Sequence, residues 1–476
     1  MVSLALEEFN KSIEKAVSFF NSEFLGNSPV KIISHLDADG ICSAAIMIKA
    51  LSRLNISYSL SILPQLDQSA LYSISKESFS RIIFTDLGSG QLSLIEKFLN
   101  TRKVIVLDHH QPEHSIKTKI CHINPHLYGL DGSREISGSG VVFMFAKGLD
   151  NKNTDLAYLA VIGAIGDNQE SNGFSGINDY ILKTAIESGK ISVEKGLRFF
   201  GQQTKPLHKL LEYSTDFIIP GVTGSESGAI QFLQNIGINP KKGTSWKKLT
   251  DLAKDEKIRL VDAILLKRNT EEKPDEILGN IYLLPSEKQG PLRDAKEFST
   301  LLNACGRMSR ASFGIGACLG DEKSKRAAIR TLNDYKKQII ESLSWLSSVL
   351  SSKSGSVISG KGFLIINAGF NVPATIIGTI TSIISMSGSF NIKDGTYIIS
   401  MARTENSKTK ISSRFAGKSK HENLKKLMDR CISSIDGQSG GHENAAGAII
   451  PSSDESLFIK NAISVLRRIS KEELLT

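Results

Sequence analysis

Short β-branched runs that alternate with helical stretches through the first third of the chain limit its fold more than any other feature. Lys31-Ile32-Ile33-Ser34-His35-Leu36 reads as a buried strand, Gly40 to Leu54 as a helix, and Tyr58 to Leu63, Arg81 to Thr85 and Lys103 to Leu107 as further strands. Ile120 to Ile123 supplies a fifth. Strands separated by helices imply an α/β fold built on a doubly wound parallel sheet. Ligands of such sheets bind beyond the carboxyl ends of the strands. The polar residues gather at those ends. Asp37 and Asp39 follow the first strand, Asp86 the third and Asp108-His109-His110 the fourth, while a helical stretch from Asp155 to Ile165 delivers Asp167. A single Asp after a strand is usually a turn or a cap. Four segments that each end in a carboxylate at the same kind of position call for another explanation.

The remaining chain divides by pattern. At 476 residues it is too long for one hydrophobic core. Leu6, Phe9, Ile13, Ala16, Val17, Phe20 and Phe24 recur every three or four residues, the mark of an amphipathic helix docked on the body. Residues 1–190 are expected to form the first domain and 191–300 an inserted, mainly helical module with loop signals such as Pro220-Gly221. Residues 301–353 would be a connecting segment ending in a long helix over 322–352. After the flexible-looking Ser351 to Ser356, residues 354–476 form a second α/β domain. In it Phe363 to Asn367 and Thr396 to Met401 read as strands and Val372 to Ser385 as a helix.

Hydrophobic residues at 40% and charged residues at 22% exclude global disorder. No apolar run approaches the ~20 residues of a membrane span, and Glu7, Glu8 and Glu14 are unlike a signal peptide. Five scattered cysteines without a CxxC pair point to reduced thiols in a cytoplasmic protein.

The chemistry resides in His35, Asp37, Asp39, Asp86, Asp108, His109, His110 and Asp167. Carboxylates with imidazole suit Mn²⁺ or Mg²⁺, and Zn²⁺ less in the absence of thiolates. So many carboxylates at one site repel unless divalent cations neutralise them. Two ions about 3.5–4 Å apart, sharing a carboxylate, would activate water for attack on phosphorus. Adjacent His109 and His110 cannot both ligate one ion without strain, so one is expected on metal and the other toward substrate, with Asp108 fixing a histidine tautomer. The expectation is a metal-dependent phosphoesterase. A net charge of +9 suggests an anionic partner, and residues 401–430 hold nine Lys/Arg against three Asp/Glu. Lys410 and Arg414 lie there, and a Gly440-Gly441-His442 turn would let backbone N–H groups approach phosphate.

Ser34 to Gly40, Thr85-Asp86-Leu87-Gly88, Asp108-His109-His110 and Gly166-Asp167 resemble the four motifs of the DHH phosphoesterases. Gly440 through Gly447 resembles the signature of their companion DHHA1 domain. Leu302-Asn303-Ala304-Cys305-Gly306-Arg307 is similar to a segment between the lobes of the RecJ-like branch, and the chain looks most like the archaeal RecJ-like nucleases, including the GINS-associated nucleases. The resemblance implies a DHH domain, a DHHA1 domain and an active-site cleft between the lobes. It implies a two-metal exonuclease on single-stranded DNA, with polarity 5′-to-3′ and RNA as a further substrate. Asp37 and Asp86 would bind one ion, and Asp39, Asp86, His109 and Asp167 the other, with Mn²⁺ preferred and Mg²⁺ usable. His110 would contact the scissile phosphate. His35 is a candidate ligand, although several DHH branches place that histidine where this chain has Ile33. Asn303, Arg307, Lys410, Ser412, Arg414, Gly440, Gly441 and His442 would hold the strand.

GINS and the replicative helicase are the implied partners. Two alternatives stand beside this reading: a phosphodiesterase for nanoRNA or cyclic dinucleotides, and a structural replisome component like the ligand-poor relatives in the eukaryotic helicase. The intact acidic set argues against a purely structural role. Inorganic pyrophosphatases carry a different C-terminal domain.

Overall fold

The carboxyl ends of β1 (Val30–His35) and β3 (Arg81–Thr85), two adjacent parallel strands, fix where this protein can bind a ligand. The structure is a computed structural model and describes residues 2–113, 119–171, 173–214, 217–352, 355–386, 390, 392–417, 421–441 and 443–472. The chain forms two units, Met1–Leu332 and Asn333–Thr476.

In the first unit, α1 (Val2–Glu23) precedes β1, α2 (Ala38–Arg53), β2 (Tyr58–Leu63), α3 (Gln68–Ser75), β3, α4 (Leu92–Leu99), β4 (Lys103–Leu107) and β5 (Cys121–Ile123). The strands pair in parallel in the order β2-β1-β3-β4-β5. The connection after β1 runs to β2 on one side and the connection after β3 runs to β4 on the other, which makes the β1/β3 boundary the topological switch point where such sheets bind ligands. Ile33, Phe84, Val104 and Val106 pack against Leu71, Ile74, Leu92, Ile95 and Leu99 of α3 and α4. The opposite face is covered by α2 and α5 (Gly138–Leu149), on which α6 (Ala157–Gly166) packs. α6 is apolar all round because it is buried all round. Phe9, Ile13, Ala16, Phe20 and Phe24 of the N-terminal segment are buried as their spacing predicts, with Phe20 edge-on to Phe145 of α5 at 5.8 Å. Each such phenyl ring contributes about 1.5–3 kcal/mol on burial.

After α7 (Gly176–Glu187), the segment expected to be mainly helical is framed by a strand pair that periodicity did not reveal. β6 (Ser192–Leu197) pairs antiparallel with β9 (Leu278–Leu283) across α8 (Leu207–Glu212), α9 (Glu226–Asn235), the short β7 (Lys241–Lys242) and β8 (Ser245–Trp246), and α10 (Lys254–Lys267). Glu194 and Lys195 face solvent in β6, so the strand lacks an apolar run. The module closes its own core with Leu207, Leu211, Ile219, Phe232, Leu260 and Ile277. α11 (Ala295–Arg307) and α12 (Ala311–Cys318) return to α2 and α6, and α13 (Glu322–Ser351) follows.

The second unit carries a six-stranded sheet in the order β10-β11-β12-β13-β15-β14. These are Val357–Gly360, Phe363–Asn367, Thr396–Arg403, Lys408–Ala416, Ala446–Pro451 for β15 and Gln438–Gly441 for β14. Only β11 and β12 are parallel. α14 (Ile377–Met386) begins five residues later than its apolar pattern suggests, because the chain first passes through a turn at Pro373. α15 (Leu424–Ile432) and α16 (Glu455–Glu472) bury Leu427, Met428, Phe458 and Leu466 against Ile399, Met401 and Ile411. Among the described residues, no helix is long and apolar enough to cross a membrane. All five cysteines are free thiols.

Candidate metal centre

β1 passes into α2 within two residues, and that turn is held from both sides. Asp37 caps α2, its carboxylate accepting the Gly40 N–H at 3.0 Å. A Cβ on Gly40 would lie 2.3 Å from the His35 carbonyl oxygen, so only glycine fits. From α11, the Asn303 side-chain oxygen accepts the Ala38 N–H at 3.0 Å. Gly306 approaches so closely that a Cβ there would sit 1.6 Å from the Leu36 oxygen. His35 Nδ1 lies 2.9 Å from Asp37 Oδ2 and 3.7 Å from Asp86 Oδ2. Ile33 is part of the apolar core.

Asp39, in the first turn of α2, is fully buried against the start of α5. Its Oδ2 accepts the Gly138 N–H at 2.6 Å, and its Oδ1 accepts the Ser139 N–H at 3.0 Å and the Ser139 hydroxyl. A helix N-terminus of this kind is a ready anion site. Burial and the charge of Asp86 nevertheless push its carboxyl up to about 7.

Asp86 follows β3 in the left-handed region, at φ 58°, with its N–H given to the Leu107 oxygen. It is 1% exposed, and neither carboxylate oxygen has a hydrogen-bond donor. Gly138 leaves it room, since a Cβ would fall 2.3 Å from Asp86 Oδ1. Burying a carboxylate without partners is costly, and such groups are paired or coordinate metals. The donor set around Asp86 therefore fits divalent cations.

Asp108, His109 and His110 divide three tasks. Asp108 is fully buried; its Oδ2 accepts the Ser89 N–H, and its Oδ1 accepts the N–H groups of His109 and His110 and also meets His110 Nδ1 at 2.8 Å. Burial opposes its ionisation, but His110 and these donors hold Asp108 well below the usual carboxylate range. Burial likewise opposes charge on His110, and Asp108 outweighs it, raising His110 to about 9. His110 is half-exposed. His109 is turned the other way. Its Nδ1 faces the Gly132 oxygen at 2.7 Å, the same carbonyl that accepts from Gln169, which leaves Nε2 toward the carboxylates. Nε2 lies 3.3 Å from Asp86 Oδ1, 3.3 Å from Asp167 Oδ2 and 3.8 Å from Asp39 Oδ2. Burial raises the Asp167 carboxyl, with Asp39 adding to it.

Among the described residues, potential ligand atoms fall into three groups, each within 4.8 Å: His35, Asp37 and Asp86; Asp39, His109 and Asp167; and Asp86 with Asp108, His109 and His110. Asp86 belongs to two of them. Sequence reasoning missed the residues that hold these ligands. Ser89 binds His122 and Asn124, and Asn124 also donates to the His110 oxygen. The Ser137-Gly138-Ser139-Gly140 run at the start of α5 was the available signal, because a glycine- and serine-rich helix start suits an anion.

Arg307 ends α11, half-buried. In the second unit, Lys410, Ser412 and Arg414 share one face of β13. Arg414 donates to Ser382 of α14 at 2.9 Å and to the Ser413 oxygen at 2.7 Å. The expected tight turn at Gly440-Gly441 is instead the end of edge strand β14, where Gly440 pairs with Gly447 and Gly441 with Ala446. Gly441 has φ 123°, and a Cβ there would meet the Ala445 oxygen at 2.3 Å. His442 lies outside the described residues.

Family models match three segments: the DHH family, N-terminal domain over residues 29–164, the DHH-CID domain over 199–278 and the DHHA1 domain over 361–468. An uncharacterized protein of Methanocaldococcus jannaschii is 34% identical over 340 residues, which cover 70% of this chain and 74% of that protein. The single-stranded-DNA-specific exonuclease RecJ of Bacillus subtilis is 28% identical over 167 residues, covering 33% of this chain and 21% of that protein. Among solved structures, RecJ of Thermus thermophilus in complex with Mn²⁺ superposes with a TM-score of 0.59 at 15% identity, over 96% of this chain and 55% of that one. CDC45 of Entamoeba histolytica gives 0.63 at 11% identity, over 96% and 99%. At these identities the likeness is one of fold. The chain spans about half the length of the Thermus RecJ.

Proposed function

The chain belongs to the DHH family, and on that premise we propose that it is a two-metal-ion exonuclease that hydrolyses phosphodiester bonds of single-stranded nucleic acid. Family membership supports a phosphoesterase or nuclease; the finer reading adds 5′-to-3′ action on single-stranded DNA, with RNA as a second substrate. The observation that carries it is Asp86, a buried carboxylate without a hydrogen bond to either oxygen, set between two groups of ligands with His35 and His109 beside it. Asp37 and Asp86, with His35 beside them, would hold one ion, and Asp39, Asp86, His109 and Asp167 the other. Divalent cations, with Mn²⁺ preferred and Mg²⁺ usable, supply Lewis acidity and neutralise charge at a phosphoryl group.

The chain's own groups do the rest. Asp108 fixes the His110 ring through Nδ1, so that a protonated, half-exposed imidazole can donate to a phosphate oxygen. Gly132 fixes the His109 ring, and Asn303 fixes the turn that carries Asp37 and Asp39. Arg307, Lys410, Ser412, Arg414 and the Gly440–His442 segment would bind the strand, to which the excess of cations in 401–430 adds attraction. The Bacillus and Thermus relatives support this reading through their names, and a role in DNA replication or repair beside GINS and the replicative helicase extends it. The fold shared with CDC45 supports a structural replisome role as the second reading.

The test is product analysis of 5′- and 3′-labelled single-stranded DNA and RNA in Mn²⁺. Labelled mononucleotide should be released from the 5′ end, and His109→Ala should abolish release while leaving the thermal unfolding transition intact. Full activity in that variant would sink the site, and a wild-type chain inert with both metals would favour the structural role.

A further inference from the structure

A cavity of about 440 Å³ opens in the first unit where β6 and β9 meet the loop after Asp167. Its size falls within the roughly 300–1,000 Å³ of small-molecule sites. Its floor is apolar at Ile165 and Phe199 and polar at Gln202, Tyr282, Asp294 and Glu170, all buried or nearly so. Glu170 is the unexplained residue. Its side chain is 9% exposed, Oε1 lies 3.6 Å from Lys296 Nζ, and Oε2 has no hydrogen-bond partner. The metal centre does not use it. A carboxylate kept dry in a pocket floor requires a donor.

The mouth has the opposite character. Lys195, Arg198, Lys273 and Lys296 stand around it, with the exposed Asp275 and Glu276 interspersed. That mixture leaves a net excess of two positive charges at the mouth, which suits one phosphate better than a chain of them. An acceptor floor that also carries the apolar Ile165 and Phe199, beneath a mildly cationic rim, matches a nucleotide entering base first. Among the bases, guanine offers adjacent N1–H and N2–H donors to a carboxylate acceptor.

We propose that this cavity binds a guanine nucleotide, with the base edge on Glu170 and the phosphate at the Lys195–Arg198 rim. The ligand is either a free mononucleotide or a guanine residue of a strand; the chemistry is shared. The site is independent of the metals, so its failure would leave the nuclease reading untouched.

The test is calorimetric titration of the full-length protein with GMP in EDTA, which silences the metal centre. Saturable binding is expected, at least tenfold tighter for GMP than for AMP or CMP. Glu170→Gln should weaken it at least tenfold, and the exposed-rim variant Lys195→Ala should weaken it several-fold without threatening the fold. Competition by a guanine-containing oligonucleotide would assign the cavity to a strand residue; the absence of competition would assign it to the free nucleotide. Lack of saturable GMP binding, equal affinity for all three nucleotides, or unchanged affinity in a folded Glu170→Gln variant would overturn the proposal.

Discussion

Asp86 concentrates the tension of the centre in one side chain. It is buried, lacks hydrogen-bond donors, sits at positive φ and faces Asp39 and Asp167 through His109. In the metal-free protein its carboxylate is desolvated beside Asp39 and Asp167, with His35 and His109 as the neighbours of opposite character. Asp86→Asn keeps the shape, tolerates the left-handed backbone and removes that charge. The metal-free variant should therefore be more stable than the wild type, by on the order of 1–3 kcal/mol. The rise in melting temperature that Mn²⁺ gives the wild type should vanish, since a ligand stabilises only the state it binds. Calorimetric melting with EDTA and with Mn²⁺ checks both halves, and a retained Mn²⁺ shift would refute the bridging role. At this scale the sequence was informative about the carboxylates and histidines that the fold gathers, and silent about their supports. An Asp at a strand end can be read from spacing. The carbonyl of Gly132 that orients His109, or the serine hydroxyl on Asp39, cannot, because a backbone oxygen has no sequence signature and serine is common at helix starts.

α11 shows what an element adds to a site it does not ligate. Through Asn303 and Gly306 it clamps the β1–α2 turn, so Asn303→Ala leaves the buried Ala38 N–H unpaired. The loss should be roughly 1–3 kcal/mol of stability, with weaker Mn²⁺ binding because Asp37 and Asp39 ride on that turn. Denaturant unfolding and metal titration measure the two, and undiminished metal affinity would make the clamp purely structural. The start of α11 carries a pH signature. Asp294 caps the helix through the N–H groups of Lys296 and Glu297, yet burial and then Glu297 raise its carboxyl to about 6. A folded-state value above the ordinary one of about 3.9 means that its contribution is fully present below about pH 3.9 and lost as pH rises through 6. Asparagine caps equally well. Asp294→Asn should thus be more stable than wild type by about 3 kcal/mol at pH 8, with the advantage fading toward pH 4; a pH-independent difference in urea unfolding would contradict the assignment. β1, β3 and β4 of the first sheet were legible because buried parallel strands are near-continuous apolar runs. β6 was not, because Glu194 and Lys195 point to solvent, and β14 was not, because its glycines look like a turn.

Charge is divided unevenly over the whole molecule. Residues 333–476 carry 18 Lys/Arg and 12 Asp/Glu, an excess of six, while the first unit supplies the other three of the net +9 with more than twice the residues. Among the described residues, the candidate ligands of the proposed metal centre all lie in the first unit, whereas the second carries Lys410 and Arg414 on one face of β13. On the proposed function, chemistry and electrostatic attraction to a strand should therefore be separable. Binding of single-stranded DNA in EDTA should weaken with salt, with a log–log slope of about −0.7 for each phosphate neutralised. Lys410→Ala combined with Arg414→Ala should flatten that slope by about 1.4. Because Arg414 also ties β13 to α14 through Ser382, a melting curve must accompany the measurement. Asp86→Asn, by contrast, should abolish Mn²⁺-dependent cleavage and leave the EDTA slope unchanged, since the strand would be held by cations of the other unit. Fluorescence anisotropy across a salt series distinguishes these outcomes. A slope unmoved by the double variant would place the grip elsewhere, and one altered by Asp86→Asn would show that the two properties are not separable.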